Sequence, residues 1–150
     1  MECLFCSFIK KKREHNGGYP FLVLNETENT VSFLSTDFPR KEDGHVLIIP
    51  KKHFKNIGDV PKKTLHELIE HVSLFAKVLR KNHEGCNILL NDGYSAQQRI
   101  FHVHFHIIPR DKRDGIIMKL WKRKKMPIGK FIELSKSLKK DVEKYAKRKS

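Results

Sequence analysis

Between residues 102 and 106 histidine takes every second position: His102-Val103-His104-Phe105-His106. In extended backbone alternate side chains share a face, so this spacing predicts three imidazoles on one side of a strand and Val103, Phe105 and Ile107 on the other. Imidazole titrates near pH 6.5, so one ring can serve as a neutral nucleophile while its neighbours act as donors or cations. Two chemistries suit such a row. The rings could hold zinc and activate water, or one ring could attack phosphorus while the others neutralise the phosphate oxygens. A second constellation, Cys3-Leu4-Phe5-Cys6, has short metal-ligand spacing but no second cysteine pair, so two histidines would have to complete a tetrahedral set. A redox role for the pair lacks the βαβ context of a thioredoxin-like segment.

The elements that must position these residues are legible in the hydrophobic pattern. Phe21-Leu22-Val23-Leu24 and Val31-Ser32-Phe33-Leu34 flank a polar turn and read as an antiparallel hairpin. After Asp43-Gly44, the apolar run His45 to Pro50 reads as a buried central strand. From Thr64 to Lys81, Leu65, Leu68, Ile69, Val72, Ala76 and Leu79 recur at three- and four-residue intervals, the signature of an amphipathic helix. Asn87 to Asn91 predicts another short strand, Asp92 to Arg99 a polar loop, and Ile100 to Ile108 a strand closed by Pro109. A last helix spans about Ile128 to Arg148. Strands on both sides of one long helix, without regular alternation, predict an α+β fold with a largely antiparallel five-stranded sheet and a basic C-terminal helical extension. The expected division is a domain over 1–110 and an extension over 111–150. Cys86 reads as a buried small hydrophobe, and His15, His66, His71 and His83 as surface or helix-face residues.

The chain of 150 residues suits one domain. Its net charge is +14, and Arg110 to Ser150 alone holds 16 basic against 5 acidic side chains, a net +11. Phosphate-bearing partners are favoured, and the basic tail, with Trp121 and Tyr145 among its lysines, admits a nucleic-acid contact as well as a plain solvated face. No apolar stretch approaches the roughly 20 residues of a membrane span, and the basic cluster Lys10 to Arg13 follows the apolar stretch Leu4 to Ile9, the reverse of a secretory signal. Three cysteines are too few for a disulfide framework, so a reducing, cytoplasmic setting is expected. No GxxxxGK[ST] or GxGxxG is present, so any phosphate is bound by other means.

With these residues in view, His102 to Ile108 resembles the His-φ-His-φ-His-φ-φ signature of the histidine triad nucleotide hydrolases and transferases, φ being apolar. Gly44 to His53 resembles the family's upstream strand and loop, and Asn91-Asp92-Gly93 with Gln98 its phosphate loop. The resemblance covers about Cys3 to Arg110 in the right order. It implies a histidine triad fold and hydrolysis at a nucleoside α-phosphate, with His104 as nucleophile, a covalent nucleotidyl-histidine intermediate, and His106 and His45 as its catalytic companions. The implied substrates are dinucleoside polyphosphates or nucleoside phosphoramidates. Asn91, Gln98 and His106 would bind phosphate and Asp37 the ribose, with Phe38 and Leu34 beside the base.

The third triad position is histidine, which the resemblance associates with the hydrolase branch rather than the sugar-phosphate transferases. Asp114-Gly115 and Trp121 loosely resemble the tail of the dinucleoside-polyphosphate branch. Gln97 and Arg99 depart from the family pattern on the leaving-group side, where an arginine either favours a charged leaving group such as a polyphosphate or faces solvent. The zinc-bearing branch implies Cys3, Cys6, His53 and His102 as a structural zinc set, no organic cofactor, and a homodimer. The alternative function is a nucleic-acid-binding or DNA-adenylate-processing module that uses the basic tail.

Overall fold

The computed structural model describes residues 2–37, 39, 45–118 and 124–147. The expectations resting on Phe38, on the turn at Asp43-Gly44 and on Trp121 fall outside the described residues. Two compact units are present, Met1–Ile116 and Ile117–Ser150.

The first unit begins with a short helix, α1 (Leu4–Ile9), and a small hairpin of β1 (His15–Asn16) and β2 (Tyr19–Pro20). Then follow β3 (Val23–Glu26), β4 (Thr30–Leu34), β5 (Val46–Pro50), the long helix α2 (Lys62–Leu79), β6 (Gly85–Leu90) and β7 (Phe105–Arg110). The last five strands form one antiparallel sheet in the order β3-β4-β5-β7-β6. This is the α+β architecture and five-stranded sheet that the sequence predicts. The second unit contains α3 (Ile128–Lys147), whose side chains through Ala146 are exposed.

β5 is apolar at every position because both sheet faces are covered over it. Val46 and Ile48 join Val72 and Leu68 of α2 in one core, together with Phe105 and Ile107 of β7. Leu47 and Ile49 point the other way, into a core with Phe5 and Phe8 of α1 and Val31 and Phe33 of β4. The same alternation turns Thr30 and Ser32 of β4 toward α2. Their hydroxyls, already bonded to Thr27 Oγ1 and to Asn25 O, also meet His71, whose Nδ1 lies 2.9 Å from Thr30 Oγ1 and whose Nε2 lies 3.0 Å from Ser32 Oγ. His71 is therefore buried and bonded at both nitrogens, which corrects its reading as a surface or helix-face residue; nothing in the α2 periodicity distinguishes a histidine met by two hydroxyls from one met by water. His83 pairs with Asp111 at 2.8 Å. The β3–β4 turn is tied to α2 through Glu67, which accepts from Asn29 N, Asn29 Nδ2 and Thr27 Oγ1; these bonds hold its carboxyl down to about 2.

The expected strand over Ile100 to Ile108 is displaced. β7 starts at Phe105 and runs through Pro109 to Arg110, so the proline does not close it. β5 pairs with β7 only from Val46 to Ile48, and Pro109 lies beyond that stretch, where β6 alone flanks the strand. At the other end the last pairs are Ile48 with Phe105 and Leu90 with Phe105, so 100–104 lies outside both ladders. It remains near the sheet through a bond from Val103 N to Phe54 O at 2.8 Å, and Val103 still packs beside Phe105 and Ile107. No helix of the described residues is long and apolar enough to cross a membrane.

Candidate functional site

The three triad imidazoles lie on the α1 side of the sheet, opposite Val103, Phe105 and Ile107, although only His106 belongs to β7. His102 lies at a bend, where its N–H donates to Ile100 O at 2.8 Å, and His104 follows just before the strand. His104 is bonded through Nδ1 to the carbonyl oxygen of His102, 2.6 Å away. A carbonyl only accepts, so Nδ1 carries the proton and Nε2 carries the lone pair. Phe5 of α1 meets this ring edge-on at 5.3 Å between centroids, and His106 does so at 4.8 Å. His45, just before β5, is buried, and its Nε2 lies 3.1 Å from His106 Nδ1.

Burial pushes His104 below the usual histidine range, opposed by its bond to the His102 carbonyl. Burial likewise pushes His106 down to about 4, with His104 and His45 adding to the effect. His45 is lowered by burial against the opposing influence of Asp37. The cluster is thus held neutral at physiological pH, with a free lone pair on His104 and N–H groups available as donors.

A cavity of about 280 Å³ opens on these rings. Its apolar lining includes Phe5, Phe8, Tyr19, Phe21 and Leu34. Its polar lining includes His104, His106, Asn91, Gln97 and Arg99, with the hydroxyls of Ser35 and Thr36 and the carboxylate of Asp37. Among the expected site residues, His104, His106, Asn91 and Asp37 line this space, and His45 stands behind His106. Gln98 is buried and does not line it: its Oε1 accepts from Gly93 N at 2.8 Å and its Nε2 donates to Lys55 O at 2.9 Å. Its carboxamide clamps the loop, in which Gly93 and Gln97 have positive φ values of 96° and 67°. The sequence reading missed the contribution of α1 and the β1–β2 hairpin to the aromatic lining. Phe5, Phe8 and Tyr19 carry no motif, and only the spacing of Phe5 and Phe8 hints at a buried helical face.

Cys3, Cys6, His53 and His102 bring one ligand atom each to within 4.8 Å of one another, a group that could hold a metal ion. His102 is fully buried, and its Nε2 lies 2.8 Å from Pro50 O, so that nitrogen donates and Nδ1 faces the thiols with its lone pair. Nδ1 of His102 lies 3.5 Å from Cys3 Sγ and 3.6 Å from Cys6 Sγ, and Cys6 Sγ lies 3.3 Å from His53 Nδ1.

The buried imidazoles link protonation to folding. Because their folded-state pKa values lie below the unfolded value near 6.5, the unfolded chain takes up protons first as the pH falls. Stability is therefore expected to be fully present above pH 6.5 and to decline from pH 6.5 toward pH 5, each differential proton contributing up to about 1.4 kcal/mol per pH unit. Denaturant melts across this range will show the decline; a flat profile would mean that His45, His71 and His106 titrate as if in water.

Comparisons with known proteins agree with this arrangement. The family described as the HIT domain matches residues 18–113. An adenosine 5'-monophosphoramidase of Candida albicans is 35% identical over 149 residues, covering 95% of this chain and 92% of that protein. A solved histidine triad nucleotide-binding protein from Candida albicans has a TM-score of 0.79 at 33% identity, covering 96% of this chain and 99% of that one. A zinc-bound histidine triad family protein from Mycobacterium smegmatis has a TM-score of 0.64 at 31% identity, covering 76% and 78% of the two chains. The imidazole row, the sheet that carries it and these similarities lead to one assignment: the chain belongs to the histidine triad family.

Proposed function

We propose that this protein is a nucleotide hydrolase that cleaves a bond at a nucleoside α-phosphate through a covalent intermediate on His104. The observation that carries the reading is the 2.6 Å bond between His104 Nδ1 and the His102 carbonyl, which leaves Nε2 as an unprotonated nucleophile in a ring lining the cavity. In the first step Nε2 bonds to phosphorus, and the bond from phosphorus to the leaving group breaks with its electron pair; a departing amine takes a proton from water on that pair, balanced by the proton released in the second step. In the second, water attacks phosphorus, the phosphorus–nitrogen bond returns its pair to Nε2, and a nucleoside monophosphate and a proton are released. N–H groups of His106 and Asn91 stabilise the non-bridging oxygens, and His45 orients His106. The aromatic lining accepts the base and Asp37 the ribose hydroxyls. The adenosine monophosphoramidase relative supports adenylyl phosphoramidates as a first substrate class to assay.

His104→Ala is expected to lower kcat on adenosine 5'-phosphoramidate by at least about 10³-fold while leaving the fold intact. Alkaline quenching followed by intact-mass analysis should find one adenylyl group on the wild type and none on the variant. Near-native turnover by the variant would remove His104 from the mechanism.

The Cys3, Cys6, His53 and His102 group is proposed as a structural zinc site. Zinc bond lengths of about 2.3 Å to sulfur and 2.0–2.1 Å to nitrogen imply S···N edges of about 3.6 Å in a tetrahedron. The three separations of 3.3 to 3.6 Å fit that set. Four protein ligands leave no position for substrate, so the ion would fasten α1 to the segment carrying His102 and supply stability. Metal analysis should find about one zinc per chain, and Cys3→Ser with Cys6→Ser should lose it and lower Tm by on the order of 10 °C. A metal-free wild type of equal stability would refute the site.

A homodimer is proposed through the sheet edge formed by β6, where Ile88 is 47% exposed, together with Ile69 of α2, which is 55% exposed. Sedimentation should give twice the chain mass for the wild type and a monomer for Ile88→Lys. A monomeric wild type excludes the pairing.

A further inference from the structure

Outside the unit that carries the reaction cavity, α3 presents a row of large apolar side chains to solvent. At 3.6 residues per turn, Ile128, Phe131, Leu134, Leu138, Val142 and Tyr145 fall within an arc of about 120° around the helix axis. Each of the six is between 46% and 74% exposed, and neither buried core includes any of them. The arc contains two further residues, Ala146 and Ser135. The Ser135 hydroxyl donates to Phe131 O at 2.8 Å, so the polar side chain of the arc is satisfied on the helix backbone and needs no partner outside it. Every charged position of the helix lies outside the arc, with Lys139 at one margin and Lys130 beyond the other.

Charge restricts what can cover this face. Ile117 to Ser150 holds 13 Lys and Arg against 3 Asp and Glu, a net +10, whereas Met1 to Ile116 holds 18 against 14, a net +4. A second copy of the chain therefore offers α3 no acidic counterpart, and pairing two extensions brings like charges together. A nucleic acid would neutralise the lysines but gain nothing from six apolar side chains on one face. α3 itself holds 6 Lys against 3 acids, a net +3, so seven of the ten excess charges lie in the sequence on either side of it. Positive charge continuing past both ends of an apolar stripe matches an extended anionic surface with an apolar interior better than a closed groove. An anionic phospholipid leaflet has that chemistry. Twenty residues of helix extend about 30 Å, but α3 is not apolar enough to cross a membrane, so the pose that suits it lies in the plane of the interface.

We infer that α3 is a membrane-surface helix that binds anionic phospholipid, with its apolar arc at the boundary of the acyl chains and its lysines among the headgroup phosphates. Lys139, at the margin, lays its four-carbon stem along the apolar face and carries its ammonium out to the headgroups. Tyr145 places its ring in the same boundary layer, where an aromatic body and a polar tip are both accommodated. The inference concerns where the protein resides and is independent of the hydrolase reading.

The test is sedimentation of the full chain with unilamellar vesicles of phosphatidylcholine, with and without 30% phosphatidylserine. The chain should partition onto the anionic vesicles at least about 10-fold more strongly than onto the neutral ones, and added potassium chloride should weaken the binding. Leu138→Glu/Val142→Glu should lower that partitioning at least about 10-fold with the melting profile unchanged, because both side chains are exposed in the free protein. Leu138→Phe/Val142→Leu should retain it. Lys136→Glu/Lys140→Glu/Lys144→Glu should abolish the preference for phosphatidylserine. Equal partitioning onto both vesicles overturns the inference, as does binding that Leu138→Glu/Val142→Glu leaves unchanged, which would reduce it to charge attraction alone. A wild type that ignores both vesicles overturns it too. In that event, a change of sedimentation mass in Leu138→Glu/Val142→Glu would assign the face to a second copy of the chain, and salt-sensitive binding of an oligonucleotide would assign the lysines to nucleic acid.

Discussion

One buried residue, His102, joins three parts of the molecule that would otherwise be independent. Its Nε2 is held by the Pro50 carbonyl at the end of β5, its Nδ1 faces the thiols of Cys3 and Cys6, and its own carbonyl accepts the hydrogen bond that His104 Nδ1 donates. The tautomers of both rings follow, since a carbonyl oxygen can only accept. The lone pair of His104 is thus placed by a backbone atom rather than by an acidic partner. The orientation of that atom depends in turn on how the N-terminal helix meets the sheet. Phe5 of α1 touches both rings, at 5.7 Å from His102 and 5.3 Å from His104, so packing reinforces what the polar contacts establish.

The absence of a ladder over 100–104 serves the site. In a paired strand the carbonyl of His102 would be spent on a neighbouring strand. Here the ladders from β5 and β6 both stop at Phe105, so the backbone groups of 100–104 are satisfied by other means: Val103 N by Phe54 O, and the His102 carbonyl by an imidazole. Gln98 plays the corresponding part for the loop before it, bonding Gly93 on one side and Lys55 on the other. Two buried polar side chains therefore do the work that strand pairing does elsewhere in the sheet.

The two faces of the sheet divide the labour. The α2 face carries stability: an apolar core, and one polar patch in which His71 answers the hydroxyls of Thr30 and Ser32. The α1 face carries the candidate site, a cavity lined by both imidazoles and aromatic rings. β5 is apolar on both faces because it lies beneath both.

Much of this was legible in the chain. Period-two alternation exposed the imidazole row and the buried strand, and three- and four-residue spacing exposed α2, because both depend only on local backbone geometry. The family resemblance was carried by short contiguous blocks for the same reason. What the sequence could not decide was how separated segments meet. The start of β7 at Phe105 depends on its pairing with β5 and β6, and the burial of His71 on two hydroxyls some 40 residues away. The aromatic wall drawn from α1 and the first hairpin, and the inward turn of Gln98, likewise belong to tertiary packing. Residue spacing dictates which side chains share a face; only the assembled sheet decides which nitrogen bears the proton and which residues the cavity exposes.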